Sequence, residues 1–203
     1  QIGTDGNAGR NFEGLIDHVR IHDRALGLTE LEALRAVMQP HPIEWPLEEG
    51  SGTTTTELST GTLSDALPVG VTWSGDVPGS NSTASLSFDG SSGFGTNLGS
   101  AATGIEGSGS KTISAWIKTS TTEQDGFFGY SPTLGSGPGQ DIRLLVNGNG
   151  DTTGKLRMEV SSGGFEFGSG LNDGNWHMVA IVINANDGIN DVDTYIDGTY
   201  TSR

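Results

Sequence analysis

The chain has 203 residues, with 25 acidic side chains against 10 basic ones, a formal net charge of −15, and no cysteine. The acidic excess argues against nucleic-acid binding and against attraction to an anionic membrane surface, and no apolar stretch approaches the ~18 residues that membrane insertion requires. The missing cysteines exclude disulfides, metal sites with thiolate ligands and thiol catalysis.

The first elements along the chain are a strand-rich piece, residues 1–22, and one short helix, residues 30–38. Thr29 and Glu32 have the spacing of a capping box, with Thr29 as the N-cap. Apolar side chains follow at helical spacing, namely Leu31, Leu34, Val37 and Met38. Two prolines then end the helix, so residues 39–42 are predicted to form a stiff linker.

A long β region, residues 43–203, comes next. Three runs in it, residues 84–89, 113–118 and 156–161, alternate apolar and polar side chains, which predicts strands with one buried face. Residues 176–183 are apolar on nearly both faces, which predicts a central strand covered on two sides. Turn-forming residues, namely glycine, serine, threonine, asparagine and aspartate, recur between these runs. Short strands separated by such turns are typical of an antiparallel two-sheet β-sandwich.

Residues 11–26 read N-F-E-G-L-I-D-H-V-R-I-H-D-R-A-L and resemble the closing strand of bacterial laminin G-like (concanavalin A-like) domains, which end on F-x-G-x-I-D-x-V-R-I-x-x-R-A-L and a short helix. Further segments are similar to the family's opening, inner and penultimate strands in the family's order: residues 44–53, 86–90, 112–118, 173–180 and 195–198. The resemblance covers almost the whole chain. It implies an all-β, antiparallel two-sheet jelly-roll β-sandwich with one short helix near the N-terminus.

The resemblance also implies that the segment is out of phase with the family's repeat. Residues 1–39 are similar to the closing strands and helix of one domain, residues 40–42 to a linker, and residues 43–203 to the body of a domain without its last strands. Three explanations remain open: an excised piece of a tandem array, a permuted domain that closes on itself, or a subunit that donates residues 1–38 to a neighbouring copy. A sandwich without its closing strand exposes an unpaired edge, which favours closure or donation, and the short linker favours donation.

Asp17 is the most informative polar residue of the sequence. In strict alternation it shares a face with Val19 and Ile21, where a carboxylate is costly unless it is paired or bound to a metal. Alternation in the next strand brings Glu49 toward the same layer. Oxygen ligands of this kind, with backbone carbonyls, favour a structural Ca²⁺, as in similar carbohydrate-binding sandwiches. Asp89 is a weaker candidate ligand, for which a turn at Asp89-Gly90 is the preferred interpretation. The competing interpretations are a bulge that turns Asp17 outward and a hydrogen bond from a backbone turn to Asp17.

Aromatic residues supply the candidate ligand-binding positions. Trp116 alternates away from the predicted core, where it could stack on a sugar ring, although packing under a loop is the competing interpretation. Phe127, Phe128 and Tyr130 fall in a predicted glycine-rich loop, residues 124–140, and loops on a rigid sandwich often carry binding sites. The alternative is an ordinary loop that its aromatics anchor.

Catalysis has little support in the sequence. The fold is shared with β-glucanases, which place carboxylates as E-x-D-x-x-E or E-x-D-x-E on one strand, and no such run occurs. Three functions follow as expectations: an extracellular or cell-surface module that binds a glycan or protein and is not an enzyme, a self-assembling module that forms fibres or arrays, or an accessory domain of a secreted hydrolase.

Overall fold

The computed structural model describes residues 1–2, 4, 11–34, 43–57, 63–93, 109–130, 141–160 and 163–201. The predicted linker, the last four residues of the predicted helix and most of the predicted loop at residues 124–140 lie outside the described residues. The described elements are β1 (Glu13–His22), α1 (Leu28–Leu34), β2 (Ile43–Trp45), β3 (Thr54–Glu57), β4 (Leu63–Ala66), β5 (Val71–Ser74), β6 (Ser85–Asp89), β7 (Lys111–Lys118), β8 (Asp125–Tyr130), β9 (Ile142–Val146), β10 (Leu156–Val160), β11 (Gly163–Phe167), β12 (Trp176–Ile183), β13 (Asp193–Ile196) and β14 (Thr199–Tyr200).

The strands form two main antiparallel sheets. The larger has the order β14-β13-β12-β7-β1-β6-β5, with β2 also paired to β1, and the smaller has the order β11-β10-β9-β8. Strands β3 and β4 form a separate pair. The expectation of an all-β, two-sheet jelly-roll sandwich with one short helix is confirmed.

The core lies between the two sheets and joins apolar side chains from both. It includes Ile16, Val19, Leu86, Ile117, Val179 and Ile181 of the larger sheet and Phe128, Leu144, Leu156, Met158 and Phe167 of the smaller. Burying one such side chain contributes roughly 1.5–3 kcal/mol. The sandwich is therefore held together by the apolar residues that alternate along its strands.

Helix α1 covers the outer face of the larger sheet. Its first turn is fixed by Glu30, whose Oε2 accepts the backbone N–H of Gly27 over 2.9 Å, so the helix begins before Thr29 and the predicted N-cap is wrong. Leu31 and Leu34 pack on Met178 of β12, and Trp116 packs against the same cluster. Trp116 is half-buried under the helix, which corrects the expectation of an exposed stacking platform.

Strand β1 lies inside the sheet of its own chain, between β7 on one side and β6 and β2 on the other. Its register to β7 shifts between Asp17 and Arg20, and His18 adopts a left-handed φ of 49°. This bulge turns both Ile16 and Val19 toward the core. Asp17 is in register with Trp116 on the outer face, so the strict alternation that placed Asp17 on the core face is wrong.

Strand β8 holds the aromatics that the sequence predicts in a loop. Phe127 and Phe128 are 0% and 2% exposed in the core, and Tyr130 packs against the same core. A register shift between Gly126 and Phe128 lets two consecutive phenylalanines face inward. The interpretation of Phe127 and Phe128 as exposed ligand residues is therefore wrong, and Tyr130, at the end of the same strand, is half-buried.

Candidate metal centre and polar sheet face

The bulge in β1 lies at a gap in the larger sheet. On one edge of β1, β6 pairs with residues up to Ile16 and β2 pairs with residues from Val19 onward. The loop after β2 and the loop before β6 enter this gap. Leu47, in the first loop, also has a left-handed φ of 59°. Two left-handed residues other than glycine at one place mark a locally strained backbone, a common feature of functional sites.

Asp17 lies at the centre of the gap and is 0% exposed. Its Oδ1 accepts the backbone N–H of His18 over 2.8 Å, and its Oδ2 accepts the Ser82 hydroxyl over 2.9 Å. Burial raises the pKa of the Asp17 carboxyl, and the contacts with His18 and Ser82 offset this only in part. The site therefore needs positive charge or a proton near Asp17.

Glu48 reaches the same gap from the loop after β2. Its Oε2 accepts the backbone N–H of Thr83 over 2.6 Å, and its Oε1 accepts the Ser82 hydroxyl over 2.6 Å. Burial raises the pKa of Glu48, but the hydrogen bonds from Ser82 and Thr83 outweigh it and hold the pKa below its ordinary value. Glu48 is thus a positioned carboxylate.

The Ser82 hydroxyl lies close to three oxygen atoms of the gap. The Ser82 Oγ lies 2.9 Å from Asp17 Oδ2, 2.6 Å from Glu48 Oε1 and 3.0 Å from the Ala84 carbonyl oxygen. A hydroxyl has one proton to donate. The hydroxyl can therefore donate to only one of these three oxygens, and either a proton on Asp17 or a bound cation would satisfy the contact with Asp17.

His18 completes the group and is 8% exposed. Its Nδ1 lies 2.9 Å from Asp17 Oδ1, and its Nε2 lies 3.8 Å from Glu48 Oε1. One ligand atom from each of these three residues lies within 4.8 Å of the other two. Asp17, His18 and Glu48 could hold a metal ion, and we call these residues with Ser82 the metal centre.

The structure brings Asp17 together with Glu48 and not with Glu49. Glu49 Oε1 accepts the backbone N–H of Thr56 over 2.8 Å at the start of the β3–β4 pair. Asp89 of β6 is the register partner of Glu13 on β1, and Glu13 lies four residues before Asp17. At about 3.3 Å per residue, this separates Asp89 from Asp17 by roughly 13 Å along the strand. Its Oδ1 instead accepts the backbone N–H of Ser91 over 2.8 Å.

The sequence does not predict Glu48, His18 and Ser82 at this centre. The left-handed Leu47 breaks the alternation along residues 43–49, so Glu48 turns to Asp17 where strict alternation selects Glu49. Pro46, just before Leu47, is the one local signal of this break. Ser82 comes from a loop, and nothing in its local sequence indicates its contacts.

A second polar cluster covers the outer face of the smaller sheet. Arg143 is in register with Glu159, and Arg157 is in register with Glu166, on the face opposite to core residues such as Met158. Ion pairs join them: Arg157 Nε lies 2.9 Å from Glu159 Oε1, Arg157 Nη1 lies 3.4 Å from Glu166 Oε1, and Arg143 Nη1 lies 3.5 Å from Glu159 Oε2. We call these four residues, with Asp141 and Lys155 at the ends, the polar ladder.

Two glycines, Gly148 and Gly164, leave room for the Arg157 side chain. A Cβ at Gly148 would overlap Arg157 Cδ, and a Cβ at Gly164 would lie 2.7 Å from Arg157 Nη2. At the ends of the ladder, Arg143 Nη2 lies 2.6 Å from Asp141 Oδ2, and Lys155 Nζ lies 3.9 Å from Glu166 Oε2. Three of the 10 basic side chains of the chain are therefore gathered on one sheet face.

No helix in the described part of the chain is long and apolar enough to cross a membrane. A search of curated proteins and a search of solved structures gave no match. A laminin G-type family model, described as the concanavalin A-like lectin/glucanases superfamily, matches residues 89–203, more than half of the chain. The matched region includes the similar segments in β7, β12 and β13. With the two-sheet β-sandwich in place, the chain belongs to the concanavalin A-like lectin/glucanase superfamily.

Proposed function

We propose that the chain is an extracellular, non-catalytic recognition module that binds a glycan through the polar ladder. The main support is that Arg143, Lys155 and Arg157 lie with their acidic partners on the outer face of the smaller sheet, in a protein whose net charge is −15. Superfamily membership supports a carbohydrate- or protein-binding module. The ladder is what selects a polar, hydroxyl-rich ligand.

The chemistry of the ladder suits sugar hydroxyls. Guanidinium groups donate and carboxylates accept, so a hydroxyl that does both is satisfied between two neighbours such as Arg157 and Glu159. Arg157 is also positioned by its ion pairs with Glu159 and Glu166 and lies close to Gly148 and Gly164, so less side-chain entropy is lost when a ligand binds. A preorganised row of alternating donors and acceptors therefore favours a glycan.

The same ladder argues for binding without hydrolysis. A glycosidase uses two carboxyl groups in different environments, of which one, in an apolar setting, keeps its proton at neutral pH. Glu159 and Glu166 both contact Arg157, so neither has that apolar setting. Glu159 and Glu166 are ladder residues in this proposal, and neither has a catalytic role.

We further propose that the metal centre is structural. The oxygens of Asp17, Glu48 and Ser82 fit a divalent cation, which the resemblance predicts to be Ca²⁺. A bound cation would neutralise the buried Asp17 and the half-buried Glu48. Asp17 and Glu48 would hold it, and they would thereby join β1 to the loops that enter the gap in the sheet.

The two-part division of the chain also stands as a proposal. Residues 1–39 act as the closing strands, and residues 43–203 act as the body that they complete. The position of β1 between β6 and β7 supports this assignment, because the body alone would have an open row of hydrogen-bonding groups between these strands.

A glycan array tests the recognition proposal. We expect wild-type protein to bind glycans, and Glu166→Gln and Lys155→Gln to weaken binding at least about tenfold, the size of one charged hydrogen bond. Arg24→Gln is the matched control, because it removes an exposed ion pair with Glu30 beside the helix. The proposal would be overturned if wild-type protein bound no glycan, or if all variants bound glycans equally. It would also be overturned by a protein partner that the two ladder variants capture as well as wild type does.

A further inference from the structure

We propose that Asn149 is a site of spontaneous deamidation, at which an exposed turn of the protein gains a negative charge and an isoaspartate linkage. The turn joins β9 to β10 and contains the run Asn147-Gly148-Asn149-Gly150. Each of its two asparagines precedes a glycine, which leaves the side chain of the asparagine the most open access to the next backbone nitrogen because glycine has no Cβ. The local sequence makes the two sites equivalent, and the structure separates them.

The reaction needs only water as a co-reactant. The backbone nitrogen of the glycine loses its proton and attacks Cγ of the preceding asparagine, so that a cyclic succinimide forms and the side-chain nitrogen leaves as ammonia. Water then opens the ring at either carbonyl carbon, which gives aspartate or, with the chain rerouted through Cβ, isoaspartate. In sum, one amide and one water become one carboxylate and one ammonium ion. The asparagine must therefore be open to water, and its side chain must be free to turn toward the backbone.

Asn147 meets neither condition. It is 0% exposed, and its Nδ2 donates to the carbonyl oxygens of Thr121 over 2.9 Å and of Glu123 over 3.1 Å. Its Oδ1 accepts the backbone N–H of Gly154 over 2.8 Å. These bonds must break before Cγ can reach the nitrogen of Gly148, and the loss of buried hydrogen bonds is costly. The turn must therefore open locally before Asn147 reacts.

Asn149 meets both conditions. It is exposed, as is Gly150, and within the described part of the chain its side chain makes no hydrogen bond. A Cβ added at Gly150 would meet nothing within 4 Å, so the space beside the reacting nitrogen is open. The amide of Asn149 therefore faces water, and no hydrogen bond opposes its rotation toward the backbone.

The isoaspartate product should not fit the turn as it stands. Asn149 has a left-handed φ of 55°, and the backbone N–H of Asp151 donates to the Gly148 carbonyl oxygen across it over 3.1 Å. Rerouting the chain through Cβ adds one backbone atom between the two ends of this bond. Gly148 lies against Arg157, whose side chain a Cβ at residue 148 would overlap. We therefore expect the modification to shift the turn against Arg157 and to reach the polar ladder.

The test is peptide mapping of the full chain after incubation in mildly alkaline buffer, once folded and once in urea. Trypsin cleaves after Arg143 and Lys155, so one peptide carries both asparagines and its fragment ions assign each. In the folded chain we expect Asn149 to convert at least about tenfold faster than Asn147, which its buried hydrogen bonds protect. In urea the two should convert at similar rates. Equal rates in the folded chain, or an Asn149 that persists while both react in urea, would overturn the proposal.

The shifted turn has its own control. Asn149→Asp adds the same charge but keeps the ordinary backbone linkage, and aspartate tolerates a left-handed φ better than most residues. The isoaspartate form, separated from aged protein by ion exchange, should melt about 2–4 °C below Asn149→Asp, the shift of a modest loss of stability in a chain of this size. Equal melting temperatures would overturn the shift of the turn, while the site of modification would stand on the peptide map.

Discussion

Arg20 on β1 and Glu44 on β2 are register partners that form an ion pair buried almost completely: Nε lies 3.0 Å from Oε1, and each side chain is 2% exposed. The backbone N–H of Glu44 in turn donates to Glu57 Oε1 over 3.0 Å. The pair lies two residues beyond His18 on the same strand. It therefore joins β1 to β2 beside the bulge that builds the metal centre.

Breaking this pair should be costly. Removing one partner leaves a buried charge without compensation, so we expect Arg20→Met or Glu44→Leu alone to lower the free energy of unfolding by about 3–5 kcal/mol. The double variant should recover most of the loss, because two apolar side chains of similar size can replace a buried pair. Urea denaturation measures all three. A loss below about 1 kcal/mol in the single variants, the range of exposed pairs, would contradict the burial of the pair.

His177 gives the protein a pH-dependent contact. Its Nδ1 lies 2.8 Å from Asp197 Oδ2 and its Nε2 lies 3.1 Å from Asp173 Oδ1. Burial lowers the pKa of His177, but the bonds to Asp197 and Asp173 outweigh it and raise the pKa above the ordinary 6.5. The charged ring thus links the start of β12 to the turn after β13.

Because the folded pKa is raised, this stabilisation is full below pH 6.5 and is lost as the pH rises through the folded value. We expect wild type to be more stable than His177→Asn near pH 6 and the difference to shrink toward about pH 9. Thermal denaturation across this range is the measurement. A difference that stays constant or grows with pH would show that His177 acts through packing alone.

Gly148 and Gly75 form a matched pair for testing the polar ladder. A Cβ at residue 148 would overlap the Arg157 side chain, whereas a Cβ at residue 75 meets nothing within 4 Å. We expect Gly148→Ala to displace Arg157, cost roughly 1–3 kcal/mol of stability and weaken glycan binding. Gly75→Ala should leave both unchanged. If Gly148→Ala binds glycans as wild type does, the position of Arg157 has no part in recognition.

Strand β1 should be separable from the body and still required by it. Residues 43–203 alone should be unfolded or aggregated by circular dichroism, because the core loses Ile16 and Val19 and strands β6 and β7 lose their shared neighbour. Adding residues 1–39 as a separate peptide should restore the β-sheet spectrum. A body that folds without the peptide would contradict the two-part division.

The intact chain tests the alternative of strand donation. In the structure β1 pairs with strands of its own chain, and we expect light scattering to show a monomer. A concentration-dependent series of oligomers would instead favour exchange of residues 1–39 between copies and the formation of fibres.

The sequence alone determined the β-sandwich, because alternation and turn residues are local signals that survive without tertiary contacts. Residues 176–183 illustrate this: their apolar side chains predict a strand covered on both faces, and β12 packs on the core with one face and on helix α1 with the other. The family resemblance likewise rests on short motifs in the right order.

The candidate site depended on the tertiary structure. Asp17 stands out in the sequence as a carboxylate in an apolar strand, but its partners were set by two left-handed residues, His18 and Leu47, that shift the alternation by one position. Side chains in a strand alternate between its two faces. A single left-handed residue shifts this alternation, so that the next residue along the chain faces the site in place of the expected one. Glu48 therefore replaced Glu49, and Ser82 joined Asp17 from 65 residues away in the chain, a contact that only the packed sheet creates.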